Sequence, residues 1–126
     1  MNEGTKERAY DLEDRLVSFA VQIMDVVEAL PNTRSGNHVA GQLIRCGTSP
    51  APNYGEAQSA ESRSDFVHKM KIGLKELRES RIWIRIAERK GLIKPPSNLA
   101  KIIAECSELI AIFASSVRTA QKNKEK

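Results

Sequence analysis

The sequence predicts an all-α fold: an antiparallel, up-down four-helix bundle whose second helix is kinked. Three observations predict it. Apolar residues recur at three- and four-residue spacing through four successive segments, the periodicity that places side chains on one face of a helix. These segments are separated by Pro, Gly and capping Ser residues, as at Pro31, Ser62, Gly91 and Pro95-Pro96, which punctuate helices. Nothing reads as a pair of alternating strands around a tight turn. Four apolar stripes joined by short loops cover one another most simply as a bundle.

The first helix carries Leu12, Leu16, Phe19, Ala20, Ile23, Met24, Val27 and Leu30 on its inner face and closes at Pro31, with fraying expected before Tyr10. In the following loop Thr33 or Ser35 can cap the second helix, because a short side-chain oxygen accepts from a first-turn amide that has no helical partner. The inner face of that helix is Val39, Leu43, Ile44 and Cys46. Pro50 and Pro52 then interrupt it. Both lack an amide hydrogen and bias the residue before them away from helical geometry, so a bend or break is expected between Thr48 and Pro52. Asn53, with Glu56 three residues on, has the form of a cap that restarts the helix. Arg45, Asn53 and Glu56 lie at this elbow, where they form either a small polar site or a set of partners for backbone groups freed by the break.

Ser62-Arg63-Ser64-Asp65 opens the third helix, expected over Ser64 to Lys90, and Gly91 suits a left-handed C-cap. After the Lys94–Ser97 loop, the fourth helix carries Leu99, Ile102, Ile103, Cys106, Leu109, Ile110, Phe113 and Val117. The tail from Gln121 to Lys126 is expected to be disordered. At 126 residues the chain is long enough for one self-contained core and short for two, so 1–126 reads as a single domain with an ordered core over about 10–120. No segment has the run of roughly 18 apolar residues that a membrane span needs, nor is there a charged-then-apolar leader. A cytoplasmic chain with no membrane partner is expected. Cys46 and Cys106, far apart and each beside apolar neighbours, read as buried reduced thiols.

Charge distribution within the third helix is the most informative feature. Phe66, Met70, Gly73, Leu74, Leu77, Ser80 and Ile84 share one arc, assigned to the core, and small Gly73 and Ser80 on it predict a close helix approach. Lys71, Lys75, Arg78, Arg85 and Arg89 share another arc about 80° wide, with Arg81 at its edge and no acid within it. The chain is only modestly basic, with 20 Lys and Arg against 16 Asp and Glu, so a single-signed ridge about 27 Å long stands out. Such a ridge can follow a nucleic-acid backbone, and the arginine fork suits phosphate. The same pattern also fits an ordinary solvated face. On its other flank Ile72, Trp83 and Ile86, with Ile82 nearer the cations, point away from the inferred core and predict a subunit interface, tryptophan being a frequent anchor.

Catalytic and metal chemistry finds little support. Asp65 and His68 stand one turn apart like half of a bundle-type di-iron site, but no second acid-x-x-His occurs and His38 lies in a polar stretch. Glu76 and Glu79 read as surface ion-pair formers. There is no nucleophile elbow, phosphate-cradling glycine loop or zinc spacing. No metal, cofactor or enzymatic activity is expected; an all-helical enzyme holding an anion between its helices needs inward cations, and the periodicity turns these outward.

Taken in order, Gln42-Leu43-Ile44-Arg45, Thr48-Ser49, Asn53, Glu56, Ser64-Asp65-Phe66, the segment Gly73 to Ser80 with its Glu76-Leu77 pair, and Gly91-Leu92-Ile93 resemble the bacterial four-helix-bundle proteins encoded by intervening sequences of 23S ribosomal RNA genes. The likeness spans about residues 10–115. It departs at the bend, where Pro50 and Pro52 replace more helix-tolerant residues and Ala57 follows Glu56 where Gly is usual. The resemblance implies a kinked second helix, a homopentameric ring and no known enzymatic activity. Accessory proteins of diversity-generating retroelements are similar in fold and bind nucleic acid and a reverse transcriptase. Two functions follow as expectations: a non-catalytic oligomer that binds RNA or DNA through the ridge, and a scaffold that binds a protein partner.

Overall fold

The computed structural model describes residues 2–124, with side chains described for 12–123. Its elements are α1 (Asn2–Ala29), α2 (Arg34–Thr48), α3 (Pro50–Gln58), α4 (Arg63–Lys90), a 3-10 turn over Pro96–Leu99, and α5 (Ala100–Lys124). α2 and α3 together form the kinked second rod of a four-helix bundle, with a bend of 17°, and no strand occurs among the described residues. Around the bundle α1 packs on α2 and α3, these on α4, α4 on α5 and α5 back on α1, while α1 and α4 lie across the diagonal with no close backbone approach among the described residues. Helical backbone is described from Asn2 and continues past Gln121 to Lys124. The fraying expected before Tyr10 falls where side chains lie outside the described residues. The tail expected to be disordered remains helical through Lys124, no Gly or Pro standing between Gln121 and that point to stop it.

Caps form where short polar side chains precede the helices. Thr33 accepts from the Gly36 amide at 3.0 Å to start α2, and Ser62 accepts from the Asp65 amide at 3.1 Å to start α4. Gly91 closes α4 in the left-handed region at φ 71°, which glycine occupies without a Cβ penalty. The bend differs from expectation. Ser49 keeps helical dihedrals, φ −73° and ψ −35°, and α3 begins at Pro50, not at Asn53. Pro50 and Pro52 occupy the first and third positions of α3, where amides have no intrahelical acceptor, so their missing hydrogens cost the new helix nothing. Asn53 is already inside the helix. Its Nδ2 donates to the Ser49 carbonyl at 3.0 Å and to Ser49 Oγ at 2.8 Å, tying the elbow together from within.

The core is filled by Leu16, Phe19, Ile23, Leu43, Met70, Leu77, Ile84, Leu109 and Phe113, among others. Two residues assigned inward lie outward instead: Met24 is 44% exposed and Ile44 38%. Both stand at the edges of their stripes, where a rod covered on two sides leaves the flank open. Gly73 meets α5 so closely that an added Cβ would stand 2.6 Å from Phe113 Cε2. Ser80, also buried, donates to its own helix at the Glu76 carbonyl, 2.8 Å away. Cys46 and Cys106 are buried and unpaired with each other; Cys106 donates to the Leu77 carbonyl at 3.2 Å. Burial pushes the Cys106 thiol up to about 12 and raises that of Cys46, because a thiolate loses its hydration there.

Two expected outcomes follow from this packing. Gly73→Ala lowers unfolding free energy by about 1–3 kcal/mol through overpacking, whereas Gly41→Ala, with nothing within 4 Å of the new methyl, raises it by about 0.5–1 kcal/mol through helix propensity; urea titration reads both. The stability that Cys106 contributes over Cys106→Ala is full below pH 9 and declines toward pH 12, since only the unfolded state releases its proton in that window. Denaturation midpoints of the two proteins should converge as pH rises across it.

Candidate nucleic-acid interface

The rotational phase of α4 determines what its surface offers. With Met70, Gly73, Leu74, Leu77, Ser80, Ile84 and Ala87 buried, the opposite side of the helix turns to solvent. Lys71, Lys75, Arg78, Arg85 and Arg89 are exposed along it, and among the described residues none of the five is paired with a carboxylate. Arg81 is different. It is half-buried and its Nη1 donates to Ser107 Oγ of α5 at 3.2 Å, so it belongs to the seam between α4 and α5 more than to the ridge.

The acids of α4 lie round the helix from the cations. Glu76 and Glu79 face α2, where Arg45 donates to Glu76 at 3.2 Å and also to Glu79. The Glu79 carboxylate raises the Arg45 guanidinium above its already high pKa. On α3, Glu56 pairs with Lys69 of α4 at 3.4 Å. Of the three polar elbow residues, only Asn53 serves the bend's backbone; Arg45 and Glu56 instead clasp the second rod to α4. Sequence reasoning placed them at the bend because their partners are distant in the chain. Pro50 is buried in that clasped rod, while Pro52 is exposed.

The apolar residues expected at a subunit interface separate into two groups. Trp83 and Ile72 are half-buried, because the second rod covers this flank of α4. Trp83 packs against the core cluster, meets His38 of α2 edge-on at 5.4 Å between ring centroids, and donates Nε1 to Glu79 at 3.4 Å. Ile82 and Ile86 are 55% and 42% exposed and border a small hollow with Arg85 and Arg89. They are thus embedded in the cationic face, not beside it.

Between the start of α2 and the end of α4 lies a groove of about 520 Å³, with Val39, Trp83 and Ile86 on its floor and His38, Arg34 and Lys90 around it. Sequence reasoning missed this groove, since Arg34 and Lys90 are far apart in the chain and only the bundle's end brings them together. It missed a second surface as well. Val17, Val21 and Met24 form an exposed apolar line on α1, with exposed Glu13, Asp14, Asp25 and Glu28 on the same helix. His68 is exposed, and no cluster of metal-ligating side chains occurs among the described residues.

The 23S rRNA-intervening sequence protein family matches residues 9–115. A solved structure of a protein of unknown function from the S23 ribosomal protein family of Bacteroides thetaiotaomicron is similar at a TM-score of 0.77 and 30% identity, over 84% of this chain and 97% of that one. No curated protein matches. With nearly the whole bundle spanned by the match, the chain belongs to the 23S rRNA-intervening sequence protein family.

Proposed function

We propose that this protein is a non-catalytic, oligomeric nucleic-acid-binding bundle whose contact surface is the outer face of α4. One observation carries the reading: Lys71, Lys75, Arg78, Arg85 and Arg89 stand exposed along a single helix with no carboxylate partner among the described residues. Cations held by internal carboxylates have little left for a ligand; these have their full charge available. Their row runs along about 27 Å of helix, long enough to meet several phosphates of one strand, and contacts of this kind position a backbone without reading its bases. Assembly into a homopentamer multiplies such contacts, so that modest affinity per copy sums by multivalency. The similarity in fold between this family and retroelement accessory proteins is in keeping with a nucleic-acid partner.

α1 favours a second reading, an assembly scaffold. Its outer face joins Val17, Val21 and Met24 to four acids, while the outer face of α4 joins Ile82 and Ile86 to five cations. The two faces are complementary in charge and apolar content and lie on diagonal helices, so they can meet head to tail between copies. The α4 face then serves a neighbouring subunit.

Fluorescence polarisation with RNA and duplex DNA across a salt series, beside light scattering over the same series, separates the two. The first reading expects a log–log affinity slope per copy of about −3.6 to −4.5 on duplex DNA, corresponding to four or five phosphate contacts, with an oligomer mass that salt leaves unchanged. Arg78→Glu with Arg85→Glu lowers that affinity at least about tenfold. Affinity flat against salt, or no binding, overturns the first reading; an oligomer that dissociates as salt rises supports the second.

A further inference from the structure

The geometry points to unpaired nucleotides as the preferred ligand: the groove at the end of the α4 ridge holds a base against Trp83 while Arg34 and Lys90 hold its phosphate. This rests on the nucleic-acid reading above and makes it more specific. The groove's 520 Å³ lies within the range of about 300–1,000 Å³ usual for small-ligand sites, which pair an apolar lining with a few convergent polar groups. Here the lining is Trp83, Val39 and Ile86, and the convergent groups are Arg34, Lys90 and His38. Arg34 and Lys90 are exposed and, among the described residues, unpaired with any carboxylate.

Two further features favour a base over another apolar group. The Trp83 ring is oriented on two sides, by the His38 ring at 5.4 Å and by the Glu79 carboxylate that accepts from Nε1 at 3.4 Å. That carboxylate is itself engaged by Arg45, so its charge is compensated, and it is not among the residues that line the groove. A preset aromatic surface binds a planar ring at little entropic cost. The groove also adjoins the ridge. Ile86 borders both the groove and the hollow formed with Ile82, Arg85 and Arg89, so a strand running along the cations passes beside the groove and can turn a base across Ile86 toward Trp83.

Base pairing decides access. In a duplex the bases are stacked inside and offer only edges, so the duplex engages the cations alone; a single strand can also turn a base onto the indole. A free mononucleotide shares the same base-and-phosphate chemistry, and the test separates the two sources.

Trp83 is the only tryptophan, so its fluorescence reports this groove specifically. A single-stranded 12-mer, a duplex of equal phosphate count and a mononucleotide are titrated into the full-length protein, following polarisation and Trp83 emission together. The expected result is that the single strand binds about tenfold more tightly than the duplex, quenches Trp83, and outcompetes the mononucleotide. Trp83→Leu removes the preference and leaves duplex affinity within about twofold, Trp83→Phe retains part of it, and Arg34→Ala with Lys90→Ala, at two exposed positions, weakens single-strand binding selectively. Equal binding of both forms with unquenched emission overturns the inference and leaves the ridge reading standing. Quenching by the mononucleotide with no gain from the oligomer also overturns it, and binding by neither form overturns both.

Discussion

The contact of Gly73 with Phe113 sets the rotational phase of α4. An α-helix in a bundle can in principle turn about its axis by tens of degrees with modest repacking, and every statement about its outer face depends on that angle. Here the backbone at Gly73 approaches the Phe113 ring too closely to admit a methyl group. Leu77, one turn further, gives its carbonyl to Cys106 of the same neighbouring helix. The two contacts lie on one line along the α4–α5 seam, so rotation in either direction would separate the first or break the second. With that seam fixed, the five ridge cations have only one direction to face.

A fixed phase also explains the segregation of charge on α4, which carries nine basic and four acidic residues. Glu76 and Glu79 have been turned toward α2, where Arg45 engages both. Arg45 therefore does two things through one guanidinium: it clasps the kinked rod to α4, and it keeps two carboxylates occupied on a side from which they cannot neutralise the ridge. Such a partly exposed clasp contributes little to stability, because solvent screens it and ordering the side chains offsets the gain. Its effect is on geometry. Glu79 in turn holds the Trp83 indole by its Nε1, so the aromatic ring is positioned by the same arrangement.

How much of this was legible in the sequence depended on the range of the interaction. Caps at Thr33, Ser62 and Gly91, and the inner arc of α4 from Met70 to Ile84, were readable because local chemistry and a 3.6-residue period determine them. The bend was readable but its geometry was not. Prolines at the first and third positions of a new helix cost less than prolines inside an old one, so the rod bends by 17° and Asn53 acts from within. Met24, Ile44 and Trp83 were misplaced for one shared reason: periodicity gives a direction from the axis, whereas exposure depends on how far each neighbouring rod wraps round. The groove beside Trp83 was illegible because Arg34, His38 and Lys90 meet only when the start of α2 is laid against the end of α4.

Net charge is a poor guide to what such a molecule attracts. The chain's +4 conceals a helix with a surplus of five positive charges, and α1, diagonal to it, exposes Glu13, Asp14, Asp25 and Glu28 among its described residues. Placing the opposite charges across the bundle's diameter leaves each face with its own field, since a separation of more than about 10 Å is screened at ordinary ionic strength. A polyanion approaching α4 therefore meets a surface far more basic than the whole, and one approaching α1 is repelled. Were copies of the chain to associate, the face turned to the neighbour would decide the field that remains. With α1 and α4 outside such a contact the ridges would add; with the two faces forming it the charges would cancel pairwise, and the assembly would lose the field that each free chain possesses. The arrangement of subunits, and not the composition of one of them, decides whether this bundle presents a polyanion-binding surface.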